Sequence, residues 1–212
     1  MNILIVGGGS PDLWPVIDFN TFDFFIGIDR GALYLLEQKQ ILHLAIGDFD
    51  SITLEERAHV FSKAENIEQS KPEKDDTDTQ LALDWAFLNY PDANVLLIGV
   101  TGGRIDHLLA NIWLGTEPRY RPFLSQVTLA DKQNTLHYYL PGNYTIFHEE
   151  NMTYLAYCCL TPVENLTLEK SKYTLENKNV LFPTSFASNE FIGPTANFSF
   201  TKGILAVVQS KD

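Results

Sequence analysis

The hydrophobic periodicity of this chain changes once along its length, and that change limits the fold more than any other feature. In the first half, short apolar runs at residues 3–6, 24–28, 44–46 and 95–100 read as buried strands. Helical patterns at 32–38, 54–61, 77–89 and 105–114 lie between and after them. Strands alternating with helices predict an α/β unit with a doubly wound, mostly parallel sheet and flanking helices. In the last helix, Ile105, Leu108, Leu109, Ile112 and Trp113 follow the spacing of a core-facing stripe, which leaves Arg104, His107 and Asn111 on another face.

After Gly115 the stretch Thr116-Glu117-Pro118-Arg119-Tyr120-Arg121-Pro122 breaks the helical pattern, and its two prolines suit a linker. A boundary there divides the chain into 1–122 and 123–212. Past it come short β-rich runs at 127–130, 136–140, 144–147, 153–159, 166–168, 197–200 and 204–209. Pro141-Gly142-Asn143 and Thr201-Lys202-Gly203 read as hairpin turns. The count and spacing predict a C-terminal antiparallel β-sandwich.

With 212 residues and 45% hydrophobic content, the chain can bury one sizeable core or two modest ones. Its longest apolar runs, 95–98 and 204–208, are too short to span a bilayer, and the N-terminus lacks a basic segment leading into an apolar one. A cytoplasmic protein without a membrane segment is expected. The only cysteines, Cys158 and Cys159, are adjacent and cannot staple distant segments. A net charge of −12 argues against nucleic acid as a partner, because phosphate backbones are held by lysine and arginine clusters. The first 125 residues hold 19 acidic and 9 basic side chains against 8 and 6 in the remainder, so the acidity belongs to the α/β half.

Three clusters concentrate it. Gly47-Asp48-Phe49-Asp50-Ser51 follows an apolar strand, where open α/β sheets bind ligands. In an extended segment Asp48 and Asp50 would point to one side and could share a cation, whereas a single Asp there would read as a helix cap. Asp75-Asp76-Thr77-Asp78-Thr79 precedes a helix. Capping uses one carboxylate or two, and a third at a helix start is repelled unless one, taken as Asp78, faces a cation. Lys74 beside it reads as a phosphate contact or as a solvated lysine.

Gly102-Gly103-Arg104-Ile105-Asp106-His107 also opens a helix, where backbone N–H groups favour phosphate. The fork of Arg104 can grip phosphate oxygens or pair with a neighbouring Asp. His107 taken alone reads as a surface or interface histidine. Gly7-Gly8-Gly9-Ser10 permits close backbone approach to a ligand, yet it matches neither the Walker A nor the Rossmann pattern. Asp29 is either a fourth acidic contributor or a helix cap. Clustered oxygen donors suit a hard cation such as Mg2+ beside a phosphorylated ligand.

Together these motifs resemble the thiamine pyrophosphokinase family, whose members share GDFDS, a TD before a helix and GGRxDH in this order. The resemblance continues into the second half, where Lys172-Tyr173-Thr174-Leu175 stands in place of a KYPL-like segment and Ser188-Asn189-Glu190-Phe191 matches SNEF. Thr174 replaces the usual proline. The resemblance implies transfer of a pyrophosphoryl group from ATP to the hydroxyl of thiamine. It implies Asp48, Asp50 and Asp78 as Mg2+ ligands and, with Arg104, as the catalytic set. ATP would be bound by Gly8, Gly9, Asp29, Thr77, Gly103, Arg104, Asp106 and His107. Thiamine would be bound by Tyr173, Ser188 and Asn189, in a homodimer whose sites combine the α/β half of one copy with the sandwich of the other. Two rivals remain open from the residues alone: an aspartate-nucleophile phosphatase, suggested by the strand-plus-DxD pattern at Asp48, and a nonenzymatic Mg-nucleotide sensor.

Overall fold

The structure is a computed structural model that describes residues 1–70 and 75–212. Lys74, considered above as a phosphate contact, lies outside the described residues. By its internal contacts the chain divides into two units, Met1–Ile112 with Leu129–Lys132, and Trp113–Thr128 with Gln133–Asp212.

In the first unit the elements run β1 (Asn2–Val6), β2 (Phe24–Ile28), α1 (Arg30–Glu37), β3 (Leu44–Gly47), α2 (Leu54–Lys63), β4 (Asn66–Gln69), α3 (Asp78–Asn89), β5 (Asn94–Ile98) and α4 (Ile105–Trp113). The strand order β5-β1-β2-β3-β4 is parallel throughout. Ile3, Leu4, Ile5 and Val6 are fully buried, because helices cover both faces of a parallel sheet and leave no solvent side to alternate with. Both α2 and α3 begin with a capping box, Thr53 with Glu56 and Thr77 with Gln80. β6 (Val127–Ala130) follows β5 at the sheet's other side.

β4 was not expected. All four of its residues are exposed, so an edge strand with the sequence Asn66-Ile67-Glu68-Gln69 carries no apolar signal. The stripe on α4 is a correction of another kind. Ile105 is 71% and Trp113 54% exposed, while the buried residue of this helix is Asn111. Periodicity shows that a helix has an apolar face, but not which way that face turns.

The second unit is a sandwich of two antiparallel sheets. Its strands are β7 (Asn134–Tyr139), β8 (Gly142–Phe147), β9 (Tyr154–Cys159), β10 (Val163–Glu169), β11 (Leu175–Val180), β12 (Thr184–Asn189), β13 (Thr195–Phe200) and β14 (Leu205–Ser210). One sheet runs β12-β9-β14-β7 and the other β11-β10-β13-β8. Leu155, Tyr157, Leu205 and Val207 from the first pack on Leu166, Leu168, Phe198 and Phe200 from the second. The proline-bearing stretch expected as a linker forms 3-10 turns at Leu114–Thr116 and Pro118–Gln126.

Neither expected hairpin turn joins paired strands. β7 pairs with β14 and β8 with β13, so Pro141-Gly142-Asn143 and Thr201-Lys202-Gly203 carry the chain from one sheet to the other. A turn residue marks reversal of direction, and a corner between stacked sheets uses the same residues. β10 and β11 do form a hairpin, and its turn holds Ser171 to Thr174. β11 and β12 were missed for the reason that hid β4: each lies at a sheet edge and is largely polar.

Candidate functional site

In the first unit, β5 lies on one side of β1 and β2 on the other, which opens a crevice at the carboxyl ends of the strands. The turns leaving β1, β2 and β5 surround a cavity of about 450 Å3. Gly7-Gly8-Gly9 packs directly against Gly99: the Gly9 amide donates to the Gly99 carbonyl at 2.8 Å, and a Cβ at Gly7 would stand 2.6 Å from that oxygen. Two backbone turns can touch here only because side chains are absent. Trp14 Nε1 donates to the Gly9 carbonyl at 3.2 Å and holds the turn from the other side.

Asp29 closes β2 at the N-cap position of α1, but its carboxylate does not cap that helix. It reaches across to accept the Phe49 amide at 2.9 Å. Its backbone has φ 48° and ψ −117°, a conformation that costs a non-glycine residue about 1–3 kcal/mol and that recurs at functional sites. Gly47, at φ 141°, leaves room for this carboxylate, because a Cβ there would lie 2.0 Å from Asp29 Oδ1. Burial pushes the Asp29 carboxyl up from 3.8 to about 6; the Phe49 N–H opposes that rise, and the charges of Asp78, Asp48 and Asp50 add to it. Three neighbouring carboxylates therefore act electrostatically on Asp29.

The turn after β3 differs from the extended segment expected for Asp48 and Asp50. Phe49 sits at φ 59°, and Asp48 Oδ1 accepts the Asp50 amide at 3.0 Å. Such turns are what Asp forms when its side chain can reach the backbone two residues on. In the second cluster Thr77 and Gln80 do the capping, with Gln80 Oε1 accepting the Thr77 amide at 2.6 Å. Asp78 occupies the first helical position and accepts from Ser70 Oγ at 3.1 Å. Among the described residues, no group of three or more His, Cys, Asp or Glu side chains is arranged as it stands to hold a metal ion.

Gly103 and Arg104 follow the β5 turn, and Gly102 and Gly103 both have positive φ. Arg104 presents its fork to Asp106, Nε to Oδ1 at 3.1 Å and Nη2 to Oδ2 at 2.5 Å. That pairing holds the Asp106 carboxyl below the usual carboxylate range. Gly8, Gly9, Asp29, Thr77, Asp78, Gly103, Arg104 and His107 line the cavity; Asp48, Asp50 and Asp106 stand outside its lining. Sequence reasoning missed Thr101 and Asn111, which also line it. Asn111 is buried and donates to the Val100 carbonyl at 2.8 Å, and Thr101 donates to Asp131 at 2.7 Å. A Thr or Asn carries no signal of its own until its partner is known, and Asp131 lies 30 residues from Thr101.

In the second unit, the β10–β11 turn lies beside the end of β12. Ser171 bridges Phe191, and the Lys172 amide donates to the Glu190 carbonyl at 2.9 Å. Tyr173 is 59% exposed. Ser188 is exposed and has φ 58°, at a break in the β9–β12 register between Phe186 and Asn189. Asn189 is 2% exposed and faces inward. The two sequence motifs of this half therefore meet.

A parallel α/β unit with an acidic, glycine-lined crevice, followed in the chain by an antiparallel sandwich, defines a two-unit protein of the α/β-plus-sandwich class. Within that class the match is specific. The family model "Thiamin pyrophosphokinase, catalytic domain" matches residues 18–123, and "Thiamin pyrophosphokinase, vitamin B1 binding domain" matches 143–205. The thiamine pyrophosphokinase of Bacillus subtilis (strain 168) is 40% identical, with 99% of each chain covered. The crystal structure of a thiamin pyrophosphokinase family protein from Enterococcus faecalis is 56% identical, with a TM-score of 0.97 and full coverage of both chains. That of the Bacillus subtilis enzyme superposes with a TM-score of 0.88 at 37% identity, again over both whole chains. The chain belongs to the thiamine pyrophosphokinase family.

Proposed function

We propose that this chain transfers the pyrophosphoryl group of ATP to the hydroxyl of thiamine, giving thiamine diphosphate and AMP. The observation that carries this reading is the match to both family models, supported by 40% identity across 99% of the chain to a thiamine pyrophosphokinase. In the reaction the thiamine hydroxyl oxygen bonds to the β-phosphorus. The bond from that phosphorus to the oxygen bridging the α-phosphate breaks, AMP leaves with that oxygen, and the hydroxyl proton is released.

In-line positioning and charge neutralisation are the protein's main tasks in such a transfer. Mg2+, when bound, would neutralise charge on the triphosphate. Asp48, Asp50 and Asp78 would hold it, with Asp29 as an additional participant. Their chemistry fits: all donors are carboxylate oxygens, and to the rise that burial gives the Asp29 carboxyl the charges of Asp78, Asp48 and Asp50 add a repulsion that a cation relieves. Arg104 turns its fork from Asp106 to phosphate oxygens. Gly8, Gly9, Gly103, Thr77 and His107 form the walls around the nucleotide.

The acceptor side uses Tyr173, whose exposed ring offers an aromatic face to the cationic thiazolium, and the Ser188 hydroxyl, which is available to the aminopyrimidine. The protein works as a homodimer, which the outward apolar stripe Ile105–Leu109–Trp113 supports, since such a face on a helix is normally covered.

The test is a reaction of purified protein with ATP, Mg2+ and thiamine. Equal yields of AMP and thiamine diphosphate are expected. ADP or free phosphate in their place would overturn the assignment and favour a different phosphoryl transfer or a phosphatase. No turnover with retained nucleotide binding would favour a sensor.

A further inference from the structure

We infer that Asn189 is a positioning residue for the acceptor, acting through the backbone of Tyr173 and not through contact with thiamine. The inference rests on the reading of Tyr173 as the aromatic face for thiamine. A carboxamide can donate two hydrogen bonds and accept two. All four of these are made within the protein. Asn189 Nδ2 donates to the Tyr173 carbonyl at 2.8 Å and to Ser171 Oγ at 3.3 Å. Its Oδ1 accepts the Tyr173 amide at 2.9 Å and the Glu190 amide at 2.9 Å. With 2% of its surface exposed, the side chain has no capacity left for a ligand.

The geometry also shows what the carboxamide does. It grips both the N–H and the C=O of Tyr173, the residue at the exposed part of the β10–β11 turn. Ser171 Oγ, 3% exposed, adds a bond to the same carbonyl at 3.1 Å. Hairpin turns are ordinarily among the looser parts of a sandwich. Here the backbone of Tyr173 is fixed at three points to buried polar groups, while its ring remains 59% exposed. A flat recognition face is useful only when its angle is set, because a small misplacement weakens binding even when every contact residue is present. Ser188, which precedes Asn189 and adopts positive φ, keeps its own side chain outside.

The experiment measures thiamine KM, ATP KM and kcat for Asn189→Ala, Ser171→Ala, Tyr173→Ala and the double variants Tyr173→Ala/Asn189→Ala and Tyr173→Ala/Ser171→Ala. Asn189→Ala is expected to raise thiamine KM about 10-fold, with ATP KM and kcat changed by less than about twofold. In the Tyr173→Ala background the same substitution is expected to add nothing, since the ring it orients is gone. Ser171→Ala is expected to raise thiamine KM about threefold, again only when Tyr173 is present. It carries the test if Asn189→Ala does not fold. Additive effects in either double variant would show direct contact with thiamine and overturn the inference, as would an unchanged thiamine KM in folded Asn189→Ala. An unchanged thiamine KM in Tyr173→Ala would instead remove the acceptor reading on which the inference stands.

Discussion

The crevice at the ends of β1, β2 and β5 and the corner around Tyr173 are both built from turns, yet they satisfy their polar groups in opposite ways. In the crevice, Asp29 is held in a costly backbone conformation, and its carboxyl is pushed up by burial and by Asp78, Asp48 and Asp50. Arg104 spends its fork on Asp106. At the corner, the Asn189 carboxamide makes every bond it can, all of them internal. The first region holds charge that a cation and a polyphosphate would balance. The second holds an exposed ring on a finished frame. A site for a charged, metal-bound substrate gains from unbalanced charge, whereas a site for a flat cation gains from fixed geometry.

The largest expected effect separates the two regions by chemistry. Asp48→Asn and Asp78→Asn should each reduce kcat/KM by about 100-fold or more, because each removes a carboxylate proposed to hold the cation on the triphosphate. Melting temperatures should stay within about 2 °C of the parent, since no core contact is lost. Near-normal turnover in both would break the contrast. Tyr173→Ala should raise thiamine KM about 10- to 100-fold and leave ATP KM nearly unchanged. An equal loss for both substrates would mean that the corner serves more than the acceptor.

Stability offers a finer test. An unfolded Asp29 ionises near 3.8 and the folded one near 6, so the native state holds the proton more tightly between these values. Stability from this group therefore falls as pH rises from about 4 to about 6 and stays lowered above that. Asp29→Asn, which suits positive φ, should stabilise the ligand-free protein at pH 7 by up to about 3 kcal/mol, a gain absent below about pH 4. Denaturant melts at both pH values check this, and a destabilised variant at pH 7 would contradict the rise that burial and, after it, the neighbouring charges give the Asp29 carboxyl. The smallest effect comes from the helix caps. Thr53→Ala and Thr77→Ala should each cost about 1 kcal/mol. Only Thr77→Ala should also weaken turnover, because Thr77 lines the cavity.

Much of this was legible in the residues. The buried parallel strands announced themselves as unbroken apolar runs, and Asp29, Asp78, Arg104 and His107 lie around one cavity as their positions at strand and helix ends suggested. β4, β11 and β12 were not legible, because each is an edge strand whose side chains mostly face water and so need no apolar pattern. Thr101 and Asn111 were silent because their roles depend on partners brought near only by folding.

By itself the sequence determined which segments are strands and helices wherever burial writes a period into them, and it carried the motifs that place the chain in its family. Those signals are local, so they survive in one dimension. Only the tertiary structure decided that the apolar face of α4 points outward, that Asp29 serves Phe49 and not its own helix, and that Asn189 is buried beneath Tyr173. Each of these depends on which groups meet across distant segments, and a hydrogen bond or a charge has no meaning until its partner is in place.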